Sequence, residues 1–482
     1  MNLAQNLFDT AEQFPNRTGI VFYDKRITYQ EMRDFTARLA GALADRGVGP
    51  GVRLAIALPN VPEFVFTYYA TLAAGGAIVP INPLYTAREM DFMLRNSGAR
   101  FIVTHPMFEQ AVREAIKDKD IELIYSDNLG DPAKECLRDL VASADTMAPI
   151  DRQPDDTAVI AYTNATMGWP VGAELTHHGL NFNVTSCRHA AMVDEHDAFL
   201  SVIPLYHAFS ATSCMNLPIA NGAMLILNET FSEKRVVDIL ENEPISVFPA
   251  VPTIFLKMYE VFGGAGKDFS SVKAFVPGGA PCGVDLIQKF TKAFNANVYE
   301  GYGITECGPV TTVNSIREKI SKIGSIGLAL DGISLKICDP KGKEVPHGVR
   351  GELCVKGDNV IKSYWNNPEM TAKYLKDGWF YTGDQAWMDE ENFVFWTGLI
   401  KRMVLVGGFN VYPEEVERII HEHPAIEKCT VFGAEDVSMG QHVAVNVTLK
   451  HGMKLTNIEL KKFVRANLAP YKMPRTIDIQ EQ

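Results

Sequence analysis

Residues 161–178, AYTNATMGWPVGAELTHH, have the composition of a loop that holds phosphate oxygens. An apolar run ends at Thr163, and Asn164, Thr166 and Gly168 follow in a short segment whose side chains and peptide N–H groups can wrap an anion. The GxxxxGK[ST] pattern of the P-loop is missing, and the stretch contains neither lysine nor arginine. The alternative interpretation is a plain strand–turn–strand hairpin.

Two further glycine-containing stretches suit a nucleotide. VPGGAPC (276–282) has paired glycines, which permit close approach of the backbone to a flat ligand, although an ordinary turn explains them equally well. VYEGYGITECGP (298–309) places aromatic residues near Glu306. A tyrosine face can stack on a base, and a carboxylate can hold Mg²⁺ beside phosphates. A solvated loop carboxylate is the alternative for Glu306.

Asp384 and His207 are two more candidates. GWFYTGDQA (378–386) places Asp384 after a glycine in a predicted turn between strands, where a carboxylate can bind both ribose hydroxyls; a common Asp–Gly type turn is the alternative. PLYHAFSATSCMN (204–216) sets His207 between aromatic residues, as a core histidine or as the lining of an acyl or thiol channel. The histidines of HEH (421–423) do not share a helix face, so no metal site is predicted there.

Alternating helix and strand patterns must position these side chains. Apolar periodicity predicts helices over 26–47, 64–74, 89–98 and 233–243, and short apolar runs predict strands over 52–58, 77–81, 100–104, 198–208, 221–228, 245–249 and 272–276. Continuously apolar strands that alternate with helices are typical of parallel sheets covered on both faces. The strands after residue 198 are expected to form a second sheet of the same large domain.

After about residue 325 the alternating helix and strand pattern of the sequence ends. SLKICDPKGKEVPHGVRGELCVKG (334–357) predicts antiparallel strands joined by glycine- and lysine-rich turns. From residue 411 a compact α+β unit follows, with a helix that ends before Pro424, two strands, and a last helix in which Thr456 and Glu459 have capping-box spacing. A small terminal domain is therefore expected.

Bulk composition excludes several protein classes. A length of 482 residues predicts more than one domain, and the net charge of −12 argues against a broad nucleic-acid interface. The eight cysteines are scattered without a CxxC pair, which favours reduced, mostly buried thiols in a cytoplasmic enzyme. Residues 1–17 read as a short amphipathic helix and not as a signal peptide.

Residues 64–81 carry no charge and are long enough for a membrane span. Gly75 and Gly76 interrupt the stretch and Pro80 follows, so a buried helix, a glycine stop and a buried strand are the preferred interpretation. No transmembrane segment is predicted, while a peripheral membrane contact and a homodimer both stay open.

Taken in order, these stretches resemble the motif set of the adenylate-forming (AMP-binding) enzymes. The resemblance extends over nearly the whole chain, and GYGITE (301–306), GWFYTGD (378–384) and VGGFNVYPEEVE (406–417) are close matches. INPLYTAREMDFML (81–94) is similar to the bacterial medium- and long-chain fatty-acid–CoA ligases.

The resemblance implies a fold and a reaction. The fold would be a multi-subdomain α/β protein: residues 1–400 would form two α/β subdomains and a β-barrel-like subdomain, and residues 401–482 a small mobile domain hinged at Lys401–Arg402. ATP and a carboxylic acid would give an acyl-adenylate, with Mg²⁺ bound, and coenzyme A would then take the acyl group as a thioester.

The resemblance also implies residue roles. Nucleotide binding would fall to Thr163, Asn164, Thr166, Gly168, Gly279, Ala280, Gly301, Tyr302, Gly303, Thr305 and Asp384. Glu306 and Thr166 would hold the metal; Thr305, Glu306 and His207 would act in catalysis; and His207, Gly407 and Gly408 would line the coenzyme A channel.

This sequence departs from the family pattern at charged positions. Where the family reads YTSGTTGxPKG, Ala165 replaces a glycine, Met167 a threonine and Val171 the lysine. Where it reads GRxKD, Leu399 replaces the arginine and Arg402 the acid. The family's glycine–lysine motif, whose lysine bridges the α-phosphate and the carboxylate, is expected beyond residue 482, so the chain is taken as truncated before it.

Two functions follow. The first is an AMP-forming ligase for medium- or long-chain fatty acids, whose adenylation step is weakened. The second is a catalytically inactive relative that binds an acyl or nucleotide ligand, or a protein partner. The retained Glu306 and Asp384 favour the first function, and Val171 and Leu399 favour the second.

Overall fold

The computed structural model describes residues 1–164, 169–400 and 402–480. Elements of the first part of the chain are helices α1 (Gln5–Gln13), α2 (Tyr29–Asp45), α3 (Pro62–Ala73), α4 (Ala87–Ser97), α5 (Glu109–Ile116) and α6 (Leu137–Ala142), and strands β1 (Thr18–Phe22), β2 (Lys25–Thr28), β3 (Arg53–Ala57), β4 (Ala77–Pro80), β5 (Phe101–Thr104), β6 (Glu122–Tyr125) and β7 (Thr157–Asn164). The predicted N-terminal amphipathic helix is confirmed as α1. The helix predicted over 26–47 begins later, because β2 occupies its first residues and Thr28 caps α2.

The next part continues the α/β pattern. Its elements are β8 (Pro170–Thr176), α7 (His177–Ala191), β9 (Ala198–Ser201), α8 (Ala208–Ser210), α9 (Leu217–Ala220), β10 (Met224–Leu227), α10 (Glu233–Asn242), β11 (Val247–Ala250), α11 (Pro252–Phe262), β12 (Ala274–Pro277) and α12 (Val284–Phe294). A π-helical turn, Ala211–Asn216, joins α8 to α9. The strands predicted over 198–208 and 221–228 are shorter, since the chain turns into the segment that carries His207 and into a glycine turn.

Strands dominate the rest of the large region. They are β13 (Gly301–Gly303), β14 (Val310–Val313), β15 (Leu328–Ala329), β16 (Ser334–Cys338), β17 (Gly351–Lys356), β18 (Ser363–Tyr364), β19 (Leu375–Lys376), β20 (Trp379–Met388) and β21 (Val394–Leu399), with helix α13 (Pro368–Tyr374) between β18 and β19. The antiparallel pairing of β16 with β17 confirms the antiparallel strands predicted over 334–357.

Two mostly parallel sheets form the body of the large domain. One has seven strands in the order β18-β8-β7-β4-β3-β5-β6, and the other has six in the order β12-β11-β9-β10-β1-β2. The predicted second sheet is therefore confirmed, but it also includes β1 from the N-terminus, which pairs with β10 in parallel. Strands such as β5 are buried along their whole length because helices cover both faces.

Two antiparallel sheets stand in the place of the expected barrel-like subdomain. One has the order β13-β14-β15; the other has the order β16-β17-β20-β19, with β21 paired to β20. A bridge between Gly327 and Val394 connects them. Of the described residues predicted to bind a nucleotide, Thr163 lies near the end of β7, Gly279 and Ala280 follow β12, Gly301–Gly303 form β13, Thr305 lies in the turn after it, and Asp384 lies within β20.

The small C-terminal domain has its own sheet and its own apolar core. Its elements are β22 (Val404–Val406), β23 (Phe409–Val411), α14 (Pro413–His421), β24 (Ile426–Asp436), β25 (Gly440–Leu449), α15 (Asn457–Arg465), a 3-10 turn (Pro470–Lys472) and β26 (Thr476–Gln480). The predicted capping box at Thr456 and Glu459 is confirmed, because each residue's side chain accepts the other's peptide N–H. Buried apolar side chains taken from the segment between Val404 and Leu468 form this core.

Two findings concern the cysteines and the apolar stretch. All eight cysteines are free thiols and only Cys429 is partly exposed. Residues 64–81 fold as most of α3, a glycine turn and β4, with Gly75 at φ 86°. In the described ranges we find no helix with both the length and the apolar character to cross a bilayer.

Candidate active site

A cavity of about 230 Å³ lies where the six-stranded sheet, the antiparallel sheets and the start of the C-terminal domain meet. Its lining brings together residues of the predicted motifs that are far apart in the sequence: Thr163, His207, Gly279, Ala280, Gly301, Tyr302, Gly303, Thr305, Glu306, Asp384 and Leu399. Residues of separate motifs thus share one cavity, as expected when strand ends and loops build a ligand site.

Asp384 and Tyr302 form the polar contact that is best defined. The Tyr302 hydroxyl donates to Asp384 Oδ2 at 2.5 Å, and Asp384 is only 4% exposed. Burial, reinforced by the Asp384 carboxylate, raises the pKa of Tyr302, so its hydroxyl keeps its proton and stays a donor. The predicted turn at Asp384 is wrong: the residue lies inside β20, where β17 and β21 flank it and orient its side chain.

Glu306 lies in a 3-10 turn, Thr305–Cys307, that follows β13. Its Oε1 accepts hydrogen bonds from Thr163 Oγ1 at 3.1 Å and from the Tyr364 hydroxyl at 2.9 Å. Burial and the neighbouring Glu306 carboxylate raise the pKa of Tyr364. Glu306 is therefore held against the end of β7, directly before the predicted phosphate loop, and is not a freely solvated loop residue.

The glycine loop after β12 approaches the cavity closely. A Cβ on Gly278 would lie 3.0 Å from the Phe209 ring, and Gly279 has φ 76°, so both positions favour glycine. The loop ends at Cys282, whose peptide N–H donates to Glu300 Oε1 at 2.9 Å. Burial raises the pKa of Glu300 to about 7.

Sequence reasoning missed Glu300 and Tyr364. Glu300 directly precedes the Gly301–Gly303 motif and lines the cavity. A charged residue one position before a predicted ligand-binding strand was a usable signal for Glu300, whereas Tyr364 comes from β18, and only the tertiary pairing of β18 with β8 brings it near Glu306.

His207 lines two neighbouring cavities, as do Thr163, Thr305, Asn410 and Tyr412. Its Nδ1 accepts the peptide N–H of Phe209 at 3.4 Å, which caps the following helical turn. Burial lowers the pKa of His207, so the ring is neutral near pH 7. With Nδ1 acting as acceptor, the hydrogen-bond pattern assigns the proton to Nε2.

The second cavity, of about 90 Å³, is shared by both domains. The large domain supplies residues that include Tyr85, Tyr206 and His207, and the C-terminal domain supplies Phe409, Asn410, Tyr412 and Tyr471. Gly407 and Gly408, predicted as channel residues, do not line either cavity. They have φ of 59° and 89°. A Cβ on Gly408 would lie 2.9 Å from Val251 of the large domain, so Gly408 permits close contact between the domains, whereas Gly407 packs against Met439 of its own domain.

The two positions at which the family pattern has a lysine or an arginine carry apolar side chains in this chain. Val171 lies opposite Thr163 in the β7–β8 hairpin and is 8% exposed, while Leu399 lies opposite Asp384 and lines the larger cavity. Among the described lining residues of that cavity, the charged side chains are the carboxylates Glu300, Glu306 and Asp384, and none is lysine or arginine.

Several predicted residues carry no structural description or lie elsewhere. The Asn164 side chain and Ala165, Thr166, Met167, Gly168 and Lys401 fall outside the described residues. The described strands on either side of residues 165–168, β7 and β8, pair with each other in antiparallel fashion. Arg402 lies away from the cavity and pairs with Glu417 at 2.8 Å inside the C-terminal domain.

The family profile described as AMP-binding enzyme matches residues 7–365, and that of the AMP-binding enzyme C-terminal domain matches residues 415–482. The chain is 34% identical to a long-chain-fatty-acid–CoA ligase of Bacillus subtilis (strain 168), over 99% of this chain and 90% of the relative. It is 32% identical to a feruloyl-CoA synthase of an Amycolatopsis species, over 98% of this chain and 94% of the relative.

Solved structures agree in fold. The o-succinylbenzoate CoA synthetase of Bacillus subtilis, bound as a double mutant to its product analogue OSB-NCoA, superposes with a TM-score of 0.90 at 27% identity, covering 99% of this chain and 94% of that one. The same synthetase with its acyl-adenylate intermediate OSB-AMP, over the same shares of the two chains and at 27% identity, gives 0.74. The chain therefore belongs to the AMP-binding enzyme family, among the adenylate-forming acid–CoA ligases, and it has the large domain and the small C-terminal domain of that fold.

Proposed function

We propose that the chain is an ATP-dependent ligase that joins a hydrophobic monocarboxylic acid, of the medium- or long-chain fatty-acid class, to coenzyme A. The observation that carries this proposal is the composition of the larger cavity. Its lining combines the polar side chains of Asp384, Tyr302 and Glu306 with a larger set of apolar side chains. The apolar part comprises Ala190, Ala191, Phe199, Leu217, Val247, Ile326 and Leu330.

The charge and the burial of the cavity lining favour one class of acid substrate. A second carboxylate on the substrate would find no lysine or arginine among the described lining residues, and burying an unpaired charge is costly. Acids with one carboxylate and an apolar body are therefore favoured. The relatives include both a long-chain-fatty-acid–CoA ligase, at 34% identity, and a feruloyl-CoA synthase, at 32%, so the choice of an aliphatic body is the part of the proposal that the comparison acids below must test.

The proposed reaction has two steps. The carboxylate attacks the α-phosphate of ATP and releases pyrophosphate; the thiol then attacks the carbonyl carbon of the acyl-adenylate, releasing AMP and the thiol proton. Asp384 would bind the ribose hydroxyls, and Tyr302, Gly279 and Ala280 would enclose the adenine. Neutral His207, with its proton on Nε2, would donate to the acyl oxygen at the passage between the two cavities.

Mg²⁺ belongs to this proposal as well. Glu306 presents a carboxylate next to the Thr163 hydroxyl, and hard oxygen donors of this kind fit Mg²⁺, which is bound in many nucleotide sites by one or two carboxylates and the phosphates. The ion would supply positive charge against the phosphates. Thr166 would contribute a further oxygen.

We place the domain boundary between residues 400 and 401, with the hinge at Lys401–Arg402. The antiparallel sheet of the large domain ends with Leu399, and the separate apolar core of the C-terminal domain begins with Val404. The TM-score is higher for the product-analogue complex of the related synthetase than for its acyl-adenylate complex. This difference supports assigning the observed orientation to the thiol-transfer step.

A second function is favoured by Val171 and Leu399. Without cations at these two positions, a site lined by three carboxylates is poorly suited to the charge that develops at the α-phosphate. The alternative is a protein that binds an acyl or nucleotide ligand, or a partner, without forming an adenylate.

One experiment separates the two functions. The full chain is incubated with ATP, Mg²⁺ and fatty acids of different lengths, with ferulate and succinate as comparison acids, and acid-dependent exchange of labelled pyrophosphate into ATP is followed. Exchange with fatty acids, and thioester after coenzyme A is added, supports the ligase. Absence of exchange with every acid, together with calorimetric binding of AMP or a fatty acid, supports the binding protein.

A further inference from the structure

A buried ion cluster joins the two domains at the contact between α4 and α14. Lys472 Nζ donates to Glu89 Oε1 at 2.7 Å and to Glu415 Oε1 at 2.8 Å. Lys472 is 0% exposed, and the side chains of Glu89 and Glu415 are 6% and 3% exposed. Glu89 belongs to the large domain, whereas Glu415 and Lys472 belong to the C-terminal domain.

Each domain holds its own members of the cluster in place. Glu89 Oε2 accepts the Thr86 hydroxyl and peptide N–H, both at 2.9 Å, in the capping box of α4. Lys472 ends the 3-10 turn after α15, and its ammonium lies 4.9 Å from the centre of the Tyr85 ring. A change in domain orientation that separates α4 from α14 must therefore split charges that are now buried.

Splitting this cluster is unfavourable for a physical reason. Burial raises the pKa of the Glu415 carboxyl, and the Lys472 ammonium opposes that shift. Arg418 also lowers the pKa of Glu415, but the Lys472 ammonium is the larger of the two opposing effects, so a buried Glu415 carboxylate that loses Lys472 loses most of its compensation. The cluster thus favours the orientation in which Glu89, Lys472 and Glu415 meet.

The same helix, α14, also contacts the chain beside the predicted phosphate loop. The Arg418 guanidinium lies 3.7 Å from the centre of the Trp169 ring, and Trp169 stacks on Phe92 of α4 at 4.7 Å. Arg88 of α4 pairs with Glu422 at 2.6 Å, but both side chains are more than a third exposed, so this pair contributes less.

We propose that Lys472 is a positioning residue, which holds the C-terminal domain in the observed orientation by bridging Glu89 and Glu415. Through Arg418 and Trp169, this orientation is linked to the segment that follows the phosphate loop. It also places Phe409, Asn410 and Tyr412 against the second cavity. Lys472 itself lines neither cavity, so it acts on the reaction only through the position of the domain.

The orientation is tested without any substrate, by amide hydrogen exchange of the ligand-free full chain. In K472M we expect exchange in peptides from α4 and α14 to rise by about tenfold or more, because removing one partner of a buried cluster leaves the others uncompensated. Arg475→Ala is the matched control, since Arg475 pairs with Asp436 inside the C-terminal domain and is half exposed. It should leave both helices unchanged.

Glu89→Gln makes the test decisive if K472M unfolds the C-terminal domain, which faster exchange in β24 and β25 would reveal. Glu89 lies outside that domain, so E89Q should raise exchange in α14 while leaving β24 and β25 protected. Exchange in α14 that stays within about twofold of wild type in E89Q would overturn the proposal, because a substitution in α4 would then have no effect across the interface.

A catalytic readout rests on the proposed function, whereas the exchange measurement does not. If the wild type forms thioester, K472M should slow thioester formation from acyl-adenylate and coenzyme A by at least about tenfold and change pyrophosphate exchange by less than about twofold. Equal losses in both steps would overturn the positioning role. A wild type with no activity would contradict the ligase and leave the exchange test of Lys472 intact.

Discussion

Leu399 lies directly opposite Asp384 on neighbouring antiparallel strands, β21 and β20. The backbone pairing brings the two residues together, and Leu399 also lines the cavity that contains the Asp384 carboxylate. Under the proposed function, this uncharged side chain stands where the family pattern has an arginine directed at the ribose and the phosphates. The other position at which the family pattern has a cation, Val171, lies on a different sheet, opposite Thr163.

We expect Leu399→Arg to strengthen binding of AMP. A restored charge-assisted hydrogen bond contributes about 1.5–3 kcal/mol, which corresponds to roughly 10- to 150-fold in affinity. Calorimetric titration with AMP measures the change, and Leu399→Met is the control for side-chain length without charge. Equal affinities of the two variants would contradict the assignment of this position to the nucleotide site.

Val171→Lys is expected to destabilise the ligand-free protein and to accelerate pyrophosphate exchange. Val171 is 8% exposed, so a lysine there loses hydration, at a cost of about 1–3 kcal/mol, until a phosphate partners it. Thermal unfolding with and without ATP and Mg²⁺ should show a larger ligand-induced stabilisation than in wild type. Val171→Met should lack this gain; the same gain in both variants would argue against a phosphate nearby.

Asp384→Asn should weaken AMP binding by roughly 10- to 150-fold, since a charged acceptor of about 1.5–3 kcal/mol is lost. Tyr302→Phe is the matched control, because it removes the 2.5 Å hydrogen bond to Asp384 but keeps both the ring and the carboxylate. Its effect on AMP affinity should be smaller. A larger effect of Y302F than of D384N would indicate that Asp384 acts mainly by positioning Tyr302.

Ala190 lies on α7 and lines the apolar part of the larger cavity. Ala190→Phe should shift the preferred acid to a shorter chain, because each excluded methylene forfeits about 0.8 kcal/mol, or roughly fourfold in affinity. Pyrophosphate exchange across a series of fatty acids measures the shift, with Ala190→Ser as the control. An unchanged length preference in A190F would place the acyl chain elsewhere.

Glu300 should make the protein less stable as the pH rises. Its pKa is raised from 4.5 to about 7 by burial, so between these values the folded state binds more protons than the unfolded state. The stabilising contribution is therefore complete below pH 4.5 and is lost as the pH rises through 7. By linkage the loss is at most about 3 kcal/mol.

The pH effect is measured as a difference between wild type and Glu300→Gln. The glutamine keeps an oxygen that can accept the Cys282 peptide N–H but does not titrate. Denaturant unfolding between pH 5 and pH 8 should show wild type losing stability relative to E300Q. Parallel curves for the two proteins would show that Glu300 does not titrate in this range.

Helix boundaries that were predicted from short sequence signals agree closely with the structure. The helix predicted over 89–98 appears as α4, which begins with the Thr86–Glu89 capping box and ends at Gly98 in the left-handed region. These signals act over a few residues and are carried by the side chains themselves, so they can be read without a fold. A short-range signal can also mislead. The Gly383–Asp384 pair predicts a turn, but the same pair is compatible with a strand such as β20, which pairs with a neighbour on each side.

By itself the sequence determined the α/β class, the order of the nucleotide motifs, the two apolar replacements at Val171 and Leu399, and the small C-terminal domain. Only the tertiary structure decided that β1 joins the second sheet, that Tyr364 reaches Glu306, and that Lys472 meets Glu89 across the domain interface. The physical reason is separation along the chain. Glu89 and Lys472 are 383 residues apart, and their contact depends on the packing of two domains, which no short-range pattern records.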